Sequence, residues 1–318
     1  MTASQIRQPG PRQRAGLARF RPAPFWLRRL APLAWLGPAI ALIAVVVIWP
    51  IVAMIQTSFR NITPLGIDVG AAGWSNFSAV FDNSNLPGIL VRTLLWVVVV
   101  VAVTVVLSLG LAQLYNQRFP GRRFARWAII APWAASVMMT ALIIRWMLQP
   151  QSGVIYLFLH DLGIVKKITV NAPYALGNPD DAMAVMMAVA VFVSLPFTTY
   201  VLLAGLQAIP GELYEAARVD GSSRWYAYRR ITLPLLRPAF AVGSVINLMN
   251  VFNSFPIIWE ITRGGPGYDT ATSTVFMYDL KGTFLGQAAA MSIVNFGLVV
   301  IIVLVFLRVN QWNEREGF

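Results

Sequence analysis

The sequence predicts an all-α integral membrane protein with six transmembrane helices and both termini in the cytoplasm. Three observations predict this class. The chain has 318 residues, of which 57% are hydrophobic and 12% charged, whereas a typical soluble domain carries about 25% charged residues. Six apolar segments each approach the length of about 20 residues that a helix needs to cross a bilayer. The basic residues are concentrated in alternate loops between these segments.

The apolar segments follow one another from residue 33 to residue 308, with polar loops between them. Arginines precede the first segment, but it is longer than the core of a signal peptide and no small-residue cleavage site follows it. We therefore interpret it as a retained span. The predicted spans are Leu33–Ser58, Leu90–Leu114, Ala125–Leu148, Ala182–Leu206, Leu236–Ile261 and Ala288–Arg308.

The lysine and arginine residues predict the orientation. Of the 25, eighteen lie in residues 1–30, in the loops after the second and fourth spans, and at the C-terminus, and five lie in the alternate loops. Basic loops are retained in the cytoplasm, so both termini are predicted there. The formal charge of +12 is then a consequence of topology, and binding to nucleic acid is not expected.

Two domains are predicted. Residues 1–30 are expected to form a basic cytoplasmic tail that ends in a helix on the membrane surface, because Phe20 to Leu30 mixes aromatic residues with arginines. Residues 31–318 are expected to form the transmembrane domain. The loop from about residue 149 to 181 is predicted to contain a short amphipathic helix rather than a further domain.

Residues 209–234, after the fourth span, have the pattern of two short helices separated by a break. Gly221 can adopt the positive φ that ends the first helix, and Ser222 or Ser223 can cap the second. Pro234 is expected to close the second helix and open the fifth span. The mixture of apolar and acidic residues favours insertion into a groove on a partner, and it is equally compatible with a connector packed on its own helix ends.

The spacing of this segment resembles the Glu-Ala-Ala signature of permease subunits of ABC importers. Glu215-Ala216-Ala217, Gly221, Ile231 and Leu233-Pro234 match seven fixed positions across 20 residues. The resemblance implies a type I ABC importer permease architecture, in which this loop docks in a cleft of a separate ATPase and transmits its closure. We therefore call residues 209–234 the coupling segment. The resemblance assigns ATPase coupling to Glu215, Ala216, Ala217, Asp220 and Gly221.

The loop after the fifth span, which reads Thr262-Arg263-Gly264-Gly265-Pro266, resembles the Thr-x-Gly-Gly-Pro turn of carbohydrate permeases of the maltose-transporter, MalF-like type. The Trp74-x-Asn76-Phe77 sequence fits the same group. This resemblance implies a bacterial plasma membrane location and a sugar-like solute. It also implies three kinds of partner, namely a second permease subunit, a cytoplasmic ATPase dimer that binds ATP and Mg, and an extracytoplasmic solute-binding protein.

Polar residues in the fifth and sixth spans are candidates for the solute pathway. Polar side chains are costly in a membrane and usually face the bundle interior, and carboxamides offer both donors and acceptors to sugar hydroxyls. Such residues also serve as hydrogen-bonding contacts between helices, which is the alternative for each of them. The candidates are Asn247, Asn250, Asn253, Ser254 and Asn295.

The sequence does not predict an enzyme. It contains no Gly-x-x-x-x-Gly-Lys-[Ser/Thr] phosphate loop, so ATP hydrolysis is expected in a separate subunit and no cofactor is expected in this chain. With one histidine, His160, and no cysteine, no catalytic or metal constellation is predicted. The alternative function is an ion-coupled secondary transporter of a small polar solute, although such transporters often place Asp or Glu within their spans.

Overall fold

A computed structural model of the protein describes residues 36–149, 152–163 and 176–315. Contacts divide the chain into two units, Met1–Val52 and Ala53–Phe318. The predicted tail and surface helix of residues 1–30 lie outside the described residues. In chain order the helices are α1 (Leu36–Ser58), α2 (Ser75–Phe81), α3 (Leu86–Asn116), α4 (Arg122–Trp133), α5 (Val137–Met147), α6 (Val154–Asp161), α7 (Pro179–Ala208), α8 (Gly211–Val219), α9 (Arg224–Ala227), α10 (Leu233–Phe252), α11 (Phe255–Ile261), α12 (Ser273–Leu280) and α13 (Leu285–Arg315).

Within the described residues, five helical stretches are long and apolar enough to cross a membrane. They are α1, α3, α7, the stretch Arg224–Ile261 and most of α13. These five correspond to the first, second, fourth, fifth and sixth predicted spans. The helix predicted in the loop after the third span is also present, as α6.

The third predicted span, Ala125–Leu148, differs from the expectation of one helix. It is divided into α4 and α5, with residues 134–136 non-helical between them. Ser136 has extended backbone angles and precedes α5 as its N-cap residue, a position that serine favours over a helix interior. Neither α4 nor α5 alone has the length of about 20 residues that a crossing requires.

Helix ends and close packing follow from a few residues. The Asn178 side chain accepts a hydrogen bond from Asp180 N, which caps α7.

Small residues allow α7 and α10 to approach closely, as in many membrane bundles. A Cβ atom added at Gly205 would lie 2.5 Å from Ala239 Cβ, and one added at Gly243 would lie 3.1 Å from Val201 Cγ1. These two glycines are therefore required by packing.

Buried residues of the Ala53–Phe318 unit form two clusters. The larger one joins α3, α7, α10, α11, α12 and α13, and Trp96, Met186, Ile258, Phe276 and Met291 are each at most 1% exposed in it. The smaller one joins α3, α7 and α10 near the coupling segment, through Ala112, Tyr115, Leu202, Leu203, Leu206 and Leu236. The coupling segment thus adjoins the smaller of the two cores.

A two-stranded antiparallel sheet follows α1 and pairs β1 (Arg60–Ile62) with β2 (Asp68–Ala71). Arg60 Nη1 donates to Asp68 Oδ2, and this hydrogen bond lowers the pKa of the Asp68 carboxyl. Asn76, which is 3% exposed, donates through Nδ2 to the carbonyl oxygens of Ser58 and Arg60 at 2.9 and 3.0 Å. Asn76 therefore ties α2 to the start of the hairpin.

Candidate functional site

The first helix of the coupling segment, α8, ends in the hydrogen-bond pattern of a Schellman motif. Ser222 N donates to Ala217 O at 2.9 Å, and Gly221 N donates to Arg218 O at 3.1 Å. Gly221 has a φ of +72°, which is unfavourable for a residue with a side chain. The predicted role of Gly221 in ending this helix is confirmed by its backbone geometry.

The second helix of the segment, α9, is capped by Ser223, whose side chain accepts a hydrogen bond from Tyr226 N at 3.2 Å. The prediction that Pro234 closes this helix is wrong. The chain continues through a π-helical turn, Tyr228–Thr232, directly into α10. Pro234 stands in the first turn of α10, where the proline needs no backbone donor and its fixed φ suits a helix.

Two side-chain contacts fix the coupling segment to the spans. The hydroxyl groups of Tyr214 and Thr232 lie 2.9 Å apart, which joins α8 to the π-helical turn. Gln113 Nε2 donates to Tyr228 Oη, which joins the same turn to α3. The segment is therefore held at its base by hydrogen bonds between side chains.

The side chains predicted to couple to an ATPase are mostly exposed. Glu215, Ala216, Asp220 and Gly221 are exposed, and Ala217 is buried against the protein itself. Glu215 forms no ion pair within the described residues. Large apolar side chains on the same segment are also exposed, with Val219 at 87%, Trp225 at 66% and Leu213 at 41%.

The fifth span is interrupted where α10 gives way to α11, at Asn253 and Ser254. Trp96 of α3 braces this break, because its Nε1 lies 3.1 Å from Val251 O and 2.9 Å from Ser254 Oγ. Ser254 Oγ itself donates to Val251 O at 2.6 Å. Interrupted helices at membrane depth are tolerated where they are buried in protein or line a cavity.

A cavity of about 470 Å³ lies at this break, and we call it the pathway cavity. Asn247 is 2% exposed, and its Nδ2 has no hydrogen-bond partner within the described residues. Asn253 Nδ2 donates to Met249 O at 2.9 Å, and Asn250 is exposed. The structure brings together four of the five predicted pathway residues as lining of this cavity, namely Asn247, Asn250, Asn253 and Ser254.

The rest of the cavity lining is uncharged. α4 and α7 contribute aromatic side chains, Trp133 and Phe197, and one hydroxyl group, Ser194. No Asp, Glu, Lys or Arg is among the described residues that line it. The chemistry available is therefore neutral hydrogen bonding beside aromatic faces, which suits a hydroxylated and uncharged solute.

The fifth predicted pathway residue, Asn295, is placed elsewhere. It is 6% exposed, and its Nδ2 donates to Ser273 O at 3.2 Å, which connects α13 to the start of α12. It does not line the pathway cavity. The face of the sixth span that carries Asn295 packs against α12, so this side chain makes the helix–helix contact that was its alternative interpretation.

The loop of residues 262–272, which we call the GGP loop, is held by its own hydrogen bonds. Thr262 and Thr270 place their hydroxyl oxygens 2.8 Å apart, and Thr270 Oγ1 donates to Gly265 O at 2.9 Å. Arg92 of α3 donates through Nη2 to Tyr268 O at 2.7 Å. Burial and a hydrogen bond to Asp279 raise the pKa of Tyr268 to about 12, so Tyr268 is neutral at physiological pH.

Several structural residues were not identified from the sequence. Trp96 sits in a continuously apolar segment and gives no local signal of its hydrogen bonds to the fifth span. The Nη1 of Arg145 donates to Glu260 O at 2.9 Å, at the end of α11. Both contacts depend on helix packing, which one sequence does not specify.

Comparisons with known proteins agree with this geometry. The profile of the family described as "Binding-protein-dependent transport system inner membrane component" matches residues 104–315. A "Probable ABC transporter permease protein" of Brucella suis is 36% identical over 290 residues, which is 91% of this chain and 99% of that protein. The trehalose/maltose transport system permease protein MalF of Thermococcus litoralis is 30% identical, over 87% of this chain and 92% of its own length.

A solved structure shows the same fold. It is the crystal structure of a bacterial ABC transporter involved in the import of the acidic polysaccharide alginate. One of its chains superposes with a TM-score of 0.76 at 24% identity, and the match covers 90% of this chain and 96% of that chain.

Proposed function

Since this chain belongs to the family of binding-protein-dependent transport system inner membrane components, we propose that it forms half of the translocation pathway of an ATP-driven importer for a sugar-like solute. The family resemblance read from the sequence is confirmed. The chain is a membrane permease and not an ion-coupled secondary transporter. The proposal adds the solute class, the partners and the roles of individual residues.

The strongest support for the proposal is the coupling segment, which is exposed at a helix end in a chain that belongs to this permease family. Glu215 and Ala216 are exposed on α8, next to exposed apolar residues such as Val219, and Glu215 has no ion pair within the part of the chain that the structure describes. Apolar surface of this kind typically marks a protein interface. ATP and Mg would be bound by a separate ATPase dimer that receives this segment, and an external binding protein would deliver the solute.

The pathway cavity supports the solute class. Asn247 presents a buried amide nitrogen without a partner in the described part of the chain, and such a donor costs free energy until something satisfies it. A hydroxyl group of a sugar or polyol would do so. The lack of charge in the lining favours a neutral solute over an acidic one. A second permease subunit would close the cavity.

We also propose that α4 and α5 together make the third crossing in chain order. With the five long helical stretches this gives six spans, with both termini in the cytoplasm. From Arg122 to Met147 the two helices and their break comprise 26 residues, enough for one tilted crossing. A chain without cysteine allows a direct test. In intact cells, an impermeant thiol reagent should label Asp269→Cys and spare Val219→Cys. The reverse pattern would exclude this orientation.

The function itself is tested by purification and reconstitution. The tagged full chain, isolated from its native membrane in mild detergent, should carry an ATPase and a second permease with it. Proteoliposomes of that complex should accumulate a neutral sugar only with ATP and the binding protein present. ATP-independent uptake driven by an ion gradient, in a preparation without an ATPase, would contradict the proposal.

A further inference from the structure

A second cavity, unrelated to the pathway cavity, lies at the turn between α3 and α4. Its volume is about 730 Å³, and we call it the arginine cavity. Four arginines within nine residues of sequence line it, together with Phe119, Pro120 and Gly121 of the turn. The arginine side chains are those of Arg118, Arg122, Arg123 and Arg126.

These arginines have no carboxylate partner among the residues that the structure describes. Within the described residues the one ion pair is between Arg60 and Asp68, at the β-hairpin. Arg126 is braced from the protein side, since its Nη2 donates to Tyr115 O at 2.8 Å, but its buried Nε has no hydrogen-bond partner in the described part of the chain. Arg118 and Arg123 are exposed. The cavity therefore presents several unneutralised positive charges and a buried donor.

The helix that follows the cavity has a second, aromatic face. Phe124 is 79% exposed and Trp127 is 72% exposed, and their spacing of three residues puts them side by side. Arg122 and Arg126, four residues apart, lie on a different face. A helix with aromatic residues on one face and arginines on another is typical of a segment at the boundary between water and lipid.

We propose that the arginine cavity binds the phosphate of an anionic glycerophospholipid headgroup, with Phe124 and Trp127 set among the acyl chains beside it. Arg122 and Arg126 each donate to one carbonyl oxygen, of Gln117 and Tyr115, and a phosphate diester would supply charged oxygen acceptors for the remaining guanidinium donors. Basic pockets next to membrane helices on the cytoplasmic side suit such headgroups. The aromatic face favours a lipid over a soluble phosphate, because a soluble anion would leave both aromatic rings exposed to water.

Lipid binding to the purified full chain tests the proposal. The chain would be delipidated in detergent and titrated with short-chain phosphatidylglycerol and, separately, with phosphatidylcholine, and native mass spectrometry would count bound lipids. The triple variant R118Q/R122Q/R123Q keeps the braced Arg126. Each basic residue near an anionic surface contributes about 1 kcal/mol, or about fivefold in affinity. The triple variant should therefore bind phosphatidylglycerol at least about tenfold more weakly, with phosphatidylcholine unchanged.

The matched control removes three arginines from the coupling segment, R224Q/R229Q/R230Q. It should bind phosphatidylglycerol as the unmodified chain does, and an equal loss in both variants would overturn the assignment to this cavity. Inorganic phosphate that displaces the lipid at similar concentration would show a site for a soluble anion. Unchanged lipid binding with weaker recovery of the ATPase would show a protein interface. Either result would overturn the lipid proposal.

A second measurement does not require the arginine variants to fold. Single cysteines at Phe124, Trp127 and Val219 can carry a spin label in the otherwise cysteine-free chain. In nanodiscs that contain phosphatidylglycerol, the labels at Phe124 and Trp127 should be more accessible to oxygen than to a water-soluble nickel chelate. The Val219 label should show the opposite preference. Equal behaviour at all three positions would place α4 in water and refute the proposal.

Discussion

The coupling segment and the GGP loop flank the same helical stretch, Arg224–Ile261, yet they are stabilised in opposite ways. The GGP loop is satisfied by its own chain, since Thr270 is fully buried and Arg92 reaches across from α3 to donate to Tyr268 O. The coupling segment is tied down only at its base and exposes Val219 and Trp225. The difference leaves one end of the stretch complete in the single chain, whereas the other exposes apolar surface to which we propose that a partner binds.

The largest expected effect on transport comes from substitutions in the coupling segment. Glu215→Ala should abolish transport, because we expect Glu215 to pair with a basic residue in the ATPase cleft, and removal of one member of such a buried pair costs about 2–5 kcal/mol. Gly221→Leu should do the same by straining the φ of +72° that ends α8. Membrane insertion should be normal in both variants. Uptake and recovery of the ATPase with the tagged chain are the measurements.

Glu212→Ala is the matched control for Glu215→Ala, since Glu212 is an exposed acid one turn earlier on the same helix. It should transport normally. If Glu215→Ala and Gly221→Leu also transport normally and retain the ATPase, the coupling segment is only a connector, and the contrast between the two ends has no functional meaning.

An intermediate effect on transport is expected at the pathway cavity, which lies between the coupling segment and the GGP loop. Asn250→Leu should raise the solute concentration for half-maximal uptake with assembly preserved. The loss of one hydrogen-bonding partner costs about 1–3 kcal/mol, or about five- to hundredfold in that concentration. Uptake kinetics of the reconstituted complex would measure it.

Asn295→Leu is the control, because Asn295 bonds to Ser273 O and does not line the cavity. It should lower the melting temperature while the half-saturating concentration per assembled complex stays the same. The same signature in Asn250→Leu would show that Asn250 is a helix contact and would remove it from the pathway.

The smallest effect is expected away from both ends of the stretch, where α13 packs against the β-hairpin and α2, and it should appear in stability alone. A Cβ atom at Gly286 would lie 2.3 Å from Arg60 O and 2.5 Å from Asn76 Nδ2. Gly286→Ala should therefore destabilise the chain by about 1–3 kcal/mol, a typical penalty for overpacking. Uptake per folded complex should be unchanged. A melting curve in detergent, with ATPase recovery measured beside it, would check both expectations.

Gly297→Ala, on the same helix, is the comparison variant. No atom lies within 4 Å of a Cβ atom placed there, so it should be neutral or stabilising by up to about 1 kcal/mol through helix propensity. Equal melting temperatures for the two variants would show that the contact at Gly286 is easily relieved and that the packing of α13 on the hairpin is less rigid than the hydrogen bonds of Asn76 indicate.

Much of this architecture was predictable because hydropathy and charge report directly on the membrane. The positions of α3 and α7, the turn at Gly221 and the cap at Ser223 all follow from local chemistry, although both helices extend a few residues beyond the predicted spans. The break of the third predicted span before Ser136 was missed, since hydropathy alone does not show where an apolar helix is interrupted.

The placement of polar side chains was only partly predictable. The stripe of Asn247, Asn250 and Ser254 follows from helical periodicity, and the structure places all three at one cavity. Asn295 looked equivalent in sequence, but its surroundings are set by the packing of α12 on α13. Local periodicity gives the face of a helix, whereas the neighbour of that face is decided by tertiary structure.

The continuous helix from Arg224 through the π-helical turn to Phe252 has a mechanical consequence. At about 1.5 Å per residue, the 26 steps from Arg224 to Asn250 make a rod of about 39 Å. A partner that pushes on one end of such a rod would turn the whole rod, as a force turns a lever arm. A tilt of a few degrees, pivoting near the coupling segment, would move the amide of Asn250 by a few ångströms. That is the scale on which a hydrogen bond to a sugar is made or lost.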